Sequence, residues 1–258
     1  MKKLNSLFHK RIGMPENEKI TFKKLGDVLE KTAQNIPFEN LNIIEKKTCD
    51  ITKDNLINKI LERNGGGLCY ELNPLFYFYL KENGFNAFLI SGVVYNHTAQ
   101  EYIKLGRTHV SILINHEDQT YLIDTGFGSN LPLKPVPLSG EIISSNNGEF
   151  RIKKVNNELG DYVLEMKLKN KDTEWKIGYV FDSSKPITDA ANLNEIQTII
   201  KEHPDSSFNK NPLITRLTNK GNITLTNTTF TQWADGIVSK KTIDEVKFKE
   251  LAKQHFGM

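Results

Sequence analysis

The stretch RNGGGLCYELN, residues 63–73, sets three consecutive glycines directly before Cys69, and a helical pattern follows at once. Three glycines in a row give up more backbone entropy on folding than other tripeptides. The loop therefore suits a tight turn into the helix, with room for a substrate against the sulfur. Cys69 lies three residues before Leu72 and seven before Phe76, on the face of the helix that reads as buried. A sulfur at that first turn meets unpaired N–H groups and the positive end of the helix dipole, which favour the nucleophilic thiolate. A buried structural cysteine is the plain alternative. Pro74 should kink or delay the helix, because it removes the bond to the Tyr70 carbonyl.

A thiol nucleophile needs a base, and the base needs a group to orient it. Of the histidines His9, His97, His109, His116, His203 and His255, five lie in polar, loop-like or terminal contexts that read as solvated surface. His109 differs: in the alternating run RTHVSILIN it shares a face with Ser111, while Val110, Ile112 and Ile114 share the other. The next run, QTYLIDT, follows a short turn. A two-residue turn at 116–117, or a four-residue turn at 115–118, places Ile114 opposite Gln119, Ile112 opposite Tyr121 and His109 directly opposite Asp124. Opposed residues bring their Cβ atoms to about 4.5–5.5 Å on one face, where a carboxylate can hold an imidazole. An odd turn length would separate the two residues. In the order Cys69, His109, Asp124 the constellation suits acyl transfer through a thioester, with water, an amine or another thiol as the acceptor.

Three zones must position these groups. Residues 1–85 read as helical: Phe22, Leu25, Val28, Leu29, Thr32 and Ala33 form one stripe, Thr52 is a candidate N-cap, and Leu72, Leu75, Phe76, Tyr79 and Leu80 recur at helical spacing up to Gly84. Residues 86–187 read as short strands separated by turn clusters, favouring a barrel or sandwich. Residues 188–258 hold a helix near 188–203, a hairpin of LITRLT and NITLTNT, and a closing helix near 242–255. With 38% hydrophobic and 25% charged residues the composition is that of an ordinary globular protein. The 34 basic and 31 acidic side chains are dispersed, which argues against a nucleic-acid surface. No apolar run approaches the roughly 18 residues of a membrane span, and no signal-peptide core follows the N-terminal lysines. Two cysteines, Cys49 and Cys69, make a disulfide framework a poor reading, so a cytoplasmic protein with reduced thiols is expected.

The motifs RNGGGLCYELN, IPFENL (36–41), THV (108–110) and LIDTGFG (122–128), in order and at compatible spacing, resemble the arylamine N-acetyltransferases over nearly the whole chain. The resemblance implies an α+β fold: an N-terminal helical bundle, a central antiparallel β-barrel and a C-terminal α/β lid around a cysteine-protease-like Cys-His-Asp core. It implies Cys69, His109 and Asp124 as the triad, acetyl-CoA as donor, and arylamines, hydrazines or N-hydroxyarylamines as acceptors in a ping-pong cycle through an acetyl-cysteine; no metal is implied. Gly126, Phe127 and Gly128 resemble the loop passed by the pantetheine arm, and Thr108 a further coenzyme A contact. Phe38 and Phe127 resemble walls of the arylamine pocket, and Phe208 a contribution from the lid. The chain departs from the family at Gly65, where an arginine usually pairs with the glutamate of the PFENL motif. That leaves Glu39 to pair with Arg63 or to face solvent. A transglutaminase-like or other cysteine hydrolase would share the triad order but release its acyl group to water or lysine. A nucleotide-binding module is disfavoured because neither glycine cluster fits a P-loop.

Overall fold

The computed structural model describes residues 3–258. Helices α1 (Lys3–Ile12) and α2 (Leu25–Asn35) lead to a two-residue strand β1 (Phe38–Glu39) and a short α3 (Leu41–Ile44). Then α4 (Lys53–Leu56), with Thr52 Oγ1 accepting from the Asn55 N–H at 3.2 Å, runs into a π-helical turn, Ile57–Glu62. The glycine loop delivers the chain to α5 (Cys69–Glu82), which ends at Asn83 and Gly84, the latter at φ +85°. Leu25, Val28, Leu29, Thr32 and Ala33 are buried on α2, and Leu72, Leu75, Phe76, Tyr79 and Leu80 on α5; Phe22, expected on the first stripe, lies half-buried in a 3₁₀ turn before α2.

Two expectations are corrected here. Helix α5 begins at Cys69 without delay and continues unbroken through Pro74. Glu71 accepts from Lys59 and Asn73 donates to the Val110 carbonyl, tying its first turns to other segments, so the lost bond to Tyr70 is absorbed. His9 is buried rather than solvated. Its Nδ1 lies against the carbonyls of Pro15 and Glu16 at 2.9 and 3.1 Å, and Tyr79 Oη sits 2.8 Å from Nε2, so both ring nitrogens are used structurally.

The central strands are β2 (Asn86–Asn96), β3 (Glu101–Tyr102), β4 (His109–His116), β5 (Gln119–Ile123), β6 (Val136–Pro137), β7 (Ile143–Ser145), β8 (Gly148–Asn157), β9 (Gly160–Leu168) and β10 (Lys176–Ile187). They pair antiparallel in the order β6-β5-β4-β2-β10-β9-β8-β7, with β3 on the end of β2, and curl until β6 lies beside β8 in a nearly closed barrel. One side of the β2–β4 pair, through Leu89, Val110, Ile112 and Ile114, shares a core with α5. The other, through Ile90 and Leu113, joins the barrel interior with Phe150, Leu164 and Phe181.

The C-terminal segment contains α6 (Ala190–Glu202), β11 (Leu213–Thr218), β12 (Gly221–Thr226), β13 (Thr229–Ala234), β14 (Ile237–Thr242) and α7 (Glu245–Phe256). The sequence reading anticipated one hairpin and two helices. The structure adds β13 and β14, joined at Asp235 and Gly236, whose φ values of +51° and +84° suit a tight hairpin turn. This sheet also takes in β1, with Phe38 opposite Thr215 and Glu39 opposite Ile214.

Candidate active site

Helix α5 points its N-terminus at the barrel, and Cys69, 7% exposed, sits at that end. Its Sγ is 3.5 Å from the Thr108 carbonyl oxygen and adjoins the His109 ring as a hydrogen-bond partner. Gly126 closes the other side. A Cβ there would fall 2.6 Å from Cys69 Cα and 2.8 Å from Asn73 Nδ2, so only glycine lets the loop after β5 lie against the thiol-bearing turn.

His109 and Asp124 meet, but not in the expected register. Ile112 faces Ile123 and His116 faces Gln119, two positions away from the predicted pairing. The turn is Glu117–Asp118, two residues at φ +46° and +60°, a conformation that matches strand twist and fixes the hairpin. Asp124 therefore lies just beyond the end of β5, diagonal to His109 rather than opposite it. Parity is preserved, so both remain on one face, and diagonal neighbours lie within reach of long side chains. His109 Nε2 stands 2.7 Å from Asp124 Oδ2, leaving Nδ1 as the nitrogen free for the thiol.

Two partners of this pair went unread in the sequence. Asn73, fully buried one turn after Cys69, donates through Nδ2 to Asp124 Oδ1 at 2.9 Å and to the Val110 carbonyl at 2.7 Å. Its Oδ1 accepts from the Thr125 N–H at 2.9 Å and the Thr125 hydroxyl at 3.0 Å. Tyr179 on β10 donates to Asp124 Oδ2 at 2.9 Å, and the Gly126 N–H donates to Oδ1 at 2.8 Å. The signal for Asn73 was its spacing of four from Cys69. For Tyr179 it was Gly92, a glycine inside a strand: a Cβ at Gly92 would come within 3.0 Å of Tyr179 Cδ2.

Burial opposes charge on both members of the pair. For His109 the charge of Asp124, the hydrogen bond to it and the neighbouring sulfur outweigh burial and raise the imidazole to about 10. For Asp124 burial is outweighed by His109 and by the donors Asn73 and Gly126, holding the carboxyl below its usual range. The arrangement is an imidazolium clamped by a carboxylate that accepts from four donors.

Cys69, Thr108, His109, Gly126, Phe127, Phe38 and Phe208 all line one cleft of about 220 Å³, otherwise apolar apart from Asp205 and Ser207. Phe38 and Phe208 meet edge to face with centroids 5.6 Å apart, and Phe127 stands 5.0 Å from the His109 ring. Asp124 sits behind His109 and Gly128, at φ +61°, stands beside Phe38; neither lines the cleft.

The glycine loop serves a different purpose from the one expected. A Cβ on Gly65 would lie 2.8 Å from the Lys59 carbonyl oxygen, on Gly66 2.1 Å from the Pro37 carbonyl oxygen, and on Gly67 2.8 Å from Glu71 Cβ. These glycines make room for protein, and none of them lines the cleft. Glu39 neither faces solvent nor pairs with Arg63. It is 1% exposed, and Lys59 Nζ bridges it at 3.1 Å to Glu71 at 2.7 Å. Lys59 lies within the π-helical turn before the loop, and its side chain is 18% exposed.

A buried thiol beside an imidazole–carboxylate pair, open to an apolar cleft, is the equipment of a cysteine acyltransferase. The sequence pattern of the N-acetyltransferase family matches residues 21–258. Arylamine N-acetyltransferase C from Bacillus anthracis superposes with a TM-score of 0.94 at 40% identity, covering 100% of this chain and 99% of that one. The same values hold for an arylamine N-acetyltransferase from Bacillus cereus with a unique Cys-His-Glu catalytic triad; the partner of His109 here is an aspartate. Probable arylamine N-acetyltransferase 2 from Dictyostelium discoideum is 33% identical over 273 residues, 96% of this chain and 90% of that protein. The chain belongs to the arylamine N-acetyltransferase family.

Proposed function

We propose that the protein transfers the acetyl group of acetyl-CoA to arylamines and hydrazines, and to the oxygen of N-hydroxyarylamines, by a ping-pong cycle through Cys69. The observation that supports this most is the convergence of Cys69 and His109, the latter held from behind by Asp124, on one cleft with aromatic walls. With the proton of Cys69 already resting on His109, the Cys69 sulfur attacks the acetyl carbonyl. The thioester bond to coenzyme A breaks, the coenzyme A sulfur leaves with the proton from His109, and acetyl-Cys69 remains. An arylamine then enters beside Phe38, Phe127 and Phe208, attacks the acetyl carbon and yields its proton to His109, and the bond to Cys69 breaks. The first-turn N–H groups of α5 that lack intrahelical partners are the donors available to the oxyanion of each step. Asp124 holds the imidazole in one orientation throughout. Thr108, Gly126 and Phe127 form the side along which the pantetheine arm passes, and Gly128 follows them on the same loop, outside the cleft lining.

Initial rates across a grid of acetyl-CoA and arylamine concentrations test this reading. Parallel double-reciprocal lines are expected. Intersecting lines would contradict the ping-pong cycle, and acetyl-CoA consumption indifferent to amine would favour the hydrolase.

A further inference from the structure

We propose that Lys59 is the positioning residue of the nucleophile, its ammonium locking the glycine loop by bridging the strand that carries Phe38 to the helical turn that carries Cys69. This rests on the reading of Cys69 as the nucleophile. Each carboxylate that Lys59 holds has a second duty. Glu71 Oε2 accepts from the Leu68 N–H at 3.0 Å, fixing the residue immediately before Cys69, and Glu39 Oε2 accepts from the Leu41 N–H at 2.6 Å. The Lys59 carbonyl accepts from the Gly65 N–H at 3.0 Å, and the loop is stitched to β1 by Glu39 N–H to the Gly67 carbonyl at 3.1 Å. One residue thus grips the loop at its entry, through its backbone, and both flanks of its exit, through its side chain. Both carboxylate side chains also lie close against the loop: a Cβ on Gly66, already 2.1 Å from the Pro37 carbonyl oxygen, would fall 2.8 Å from Glu39 Cγ, and one on Gly67 2.8 Å from Glu71 Cβ.

The cluster is one cation between two carboxylates, nearly dry on the carboxylate side, so removing the ammonium leaves two like charges that cannot both stay ionised. Burial opposes the charge of Lys59, yet Glu71 and Glu39 outweigh it and raise its ammonium. Burial and the neighbouring Glu39 raise the Glu71 carboxyl against the pull of Lys59. The other ionisable groups facing this cluster are the buried Tyr70 phenol and, around a cavity of about 300 Å³ that the cluster itself lines, Glu45, Lys47, Cys49, Asp50, Arg63 and the C-terminal Met258. That cavity lies away from the cleft, so Lys59 reaches no substrate and can act only through the loop.

The test compares wild type, Lys59→Met, Lys59→Arg and the double variant Lys59→Met/Glu39→Gln, following acetylation of Cys69 by acetyl-CoA and its alkylation by iodoacetamide from pH 6 to 8. Lys59→Met should slow both by about 10- to 100-fold, the scale of a displaced reacting group. The deficit should shrink toward pH 6, as a proton takes the place of the ammonium. Lys59→Arg should retain most of the rate, and Glu39→Gln should restore part of what Lys59→Met loses. A Lys59→Met rate within about twofold of wild type would overturn the proposal, as would a loss that is equal at every pH and unrelieved by Glu39→Gln. If Lys59→Met does not fold, the double variant should, and its failure would overturn the charge-based account. Should wild-type Cys69 take no acetyl group, the functional reading fails separately, because alkylation still reports the position of the sulfur.

Discussion

Two buried charge clusters flank the first turn of α5, and they are built to opposite designs. On the barrel side a single carboxylate, Asp124, accepts from four donors and faces an imidazole that also borders the cleft. On the loop side a single ammonium, Lys59, is divided between two carboxylates that cap backbone N–H groups. The first surrounds a group that can gain and lose a proton next to the sulfur. The second has no outlet to the cleft, and its charges serve only to fix backbone. Ion clusters of similar depth therefore separate into chemistry and scaffold by which group titrates and what it touches.

The sharpest way to break this contrast is Asp124→Asn, which keeps shape and removes the charge behind His109. Turnover should fall by roughly 10³-fold or more, the scale expected when the orienting carboxylate of such a triad is lost. Single-turnover acetylation would measure it, and a loss below tenfold would place Asp124 with the scaffold. Asn73→Ala should come next. It strips one donor from Asp124 and leaves the Val110 carbonyl and Thr125 N–H without their side-chain partner. A stability loss of about 1–3 kcal/mol in urea titration is expected, together with a slower acetylation step.

The pH dependence of stability sharpens the same point. His109 is raised above its ordinary value, so its contribution is fully present below about pH 6.5 and is lost as pH rises toward 10. The urea midpoint should decline across that window in wild type and decline less in Asp124→Asn; an identical slope in both would detach His109 from the carboxylate. The smallest effect is expected at the cleft walls. Phe38→Ala should raise the apparent KM for arylamines several-fold while changing acetylation by acetyl-CoA less, as stopped-flow measurement of the two half-reactions would show. Equal effects on both would assign the ring to packing.

Local pattern carried the Cys69 helix start and the shared face of His109 and Asp124, because parity survives a register error of two. It did not carry the register itself, which depends on two non-glycine residues adopting positive φ at Glu117 and Asp118. Nor could it supply Tyr179, whose arrival needs β10 to pair with β2, or the Lys59 bridge, which starts from a π-helical turn that helical periodicity does not foresee. The hairpin at Asp235–Gly236 carries a local signal, a D-G pair at the two turn positions, but every residue of β14 is exposed, so no alternation of apolar side chains marks the strand.

The central claim is that the sulfur beside His109 carries the acetyl group. Incubation of wild-type protein with acetyl-CoA and no acceptor, followed by intact mass measurement and peptide mapping, tests it directly. One acetyl group on Cys69, none on the exposed Cys49, and discharge on adding an arylamine are predicted. Acetyl-arylamine formed by protein that never carries the adduct, or an adduct confined to Cys49, would contradict the account.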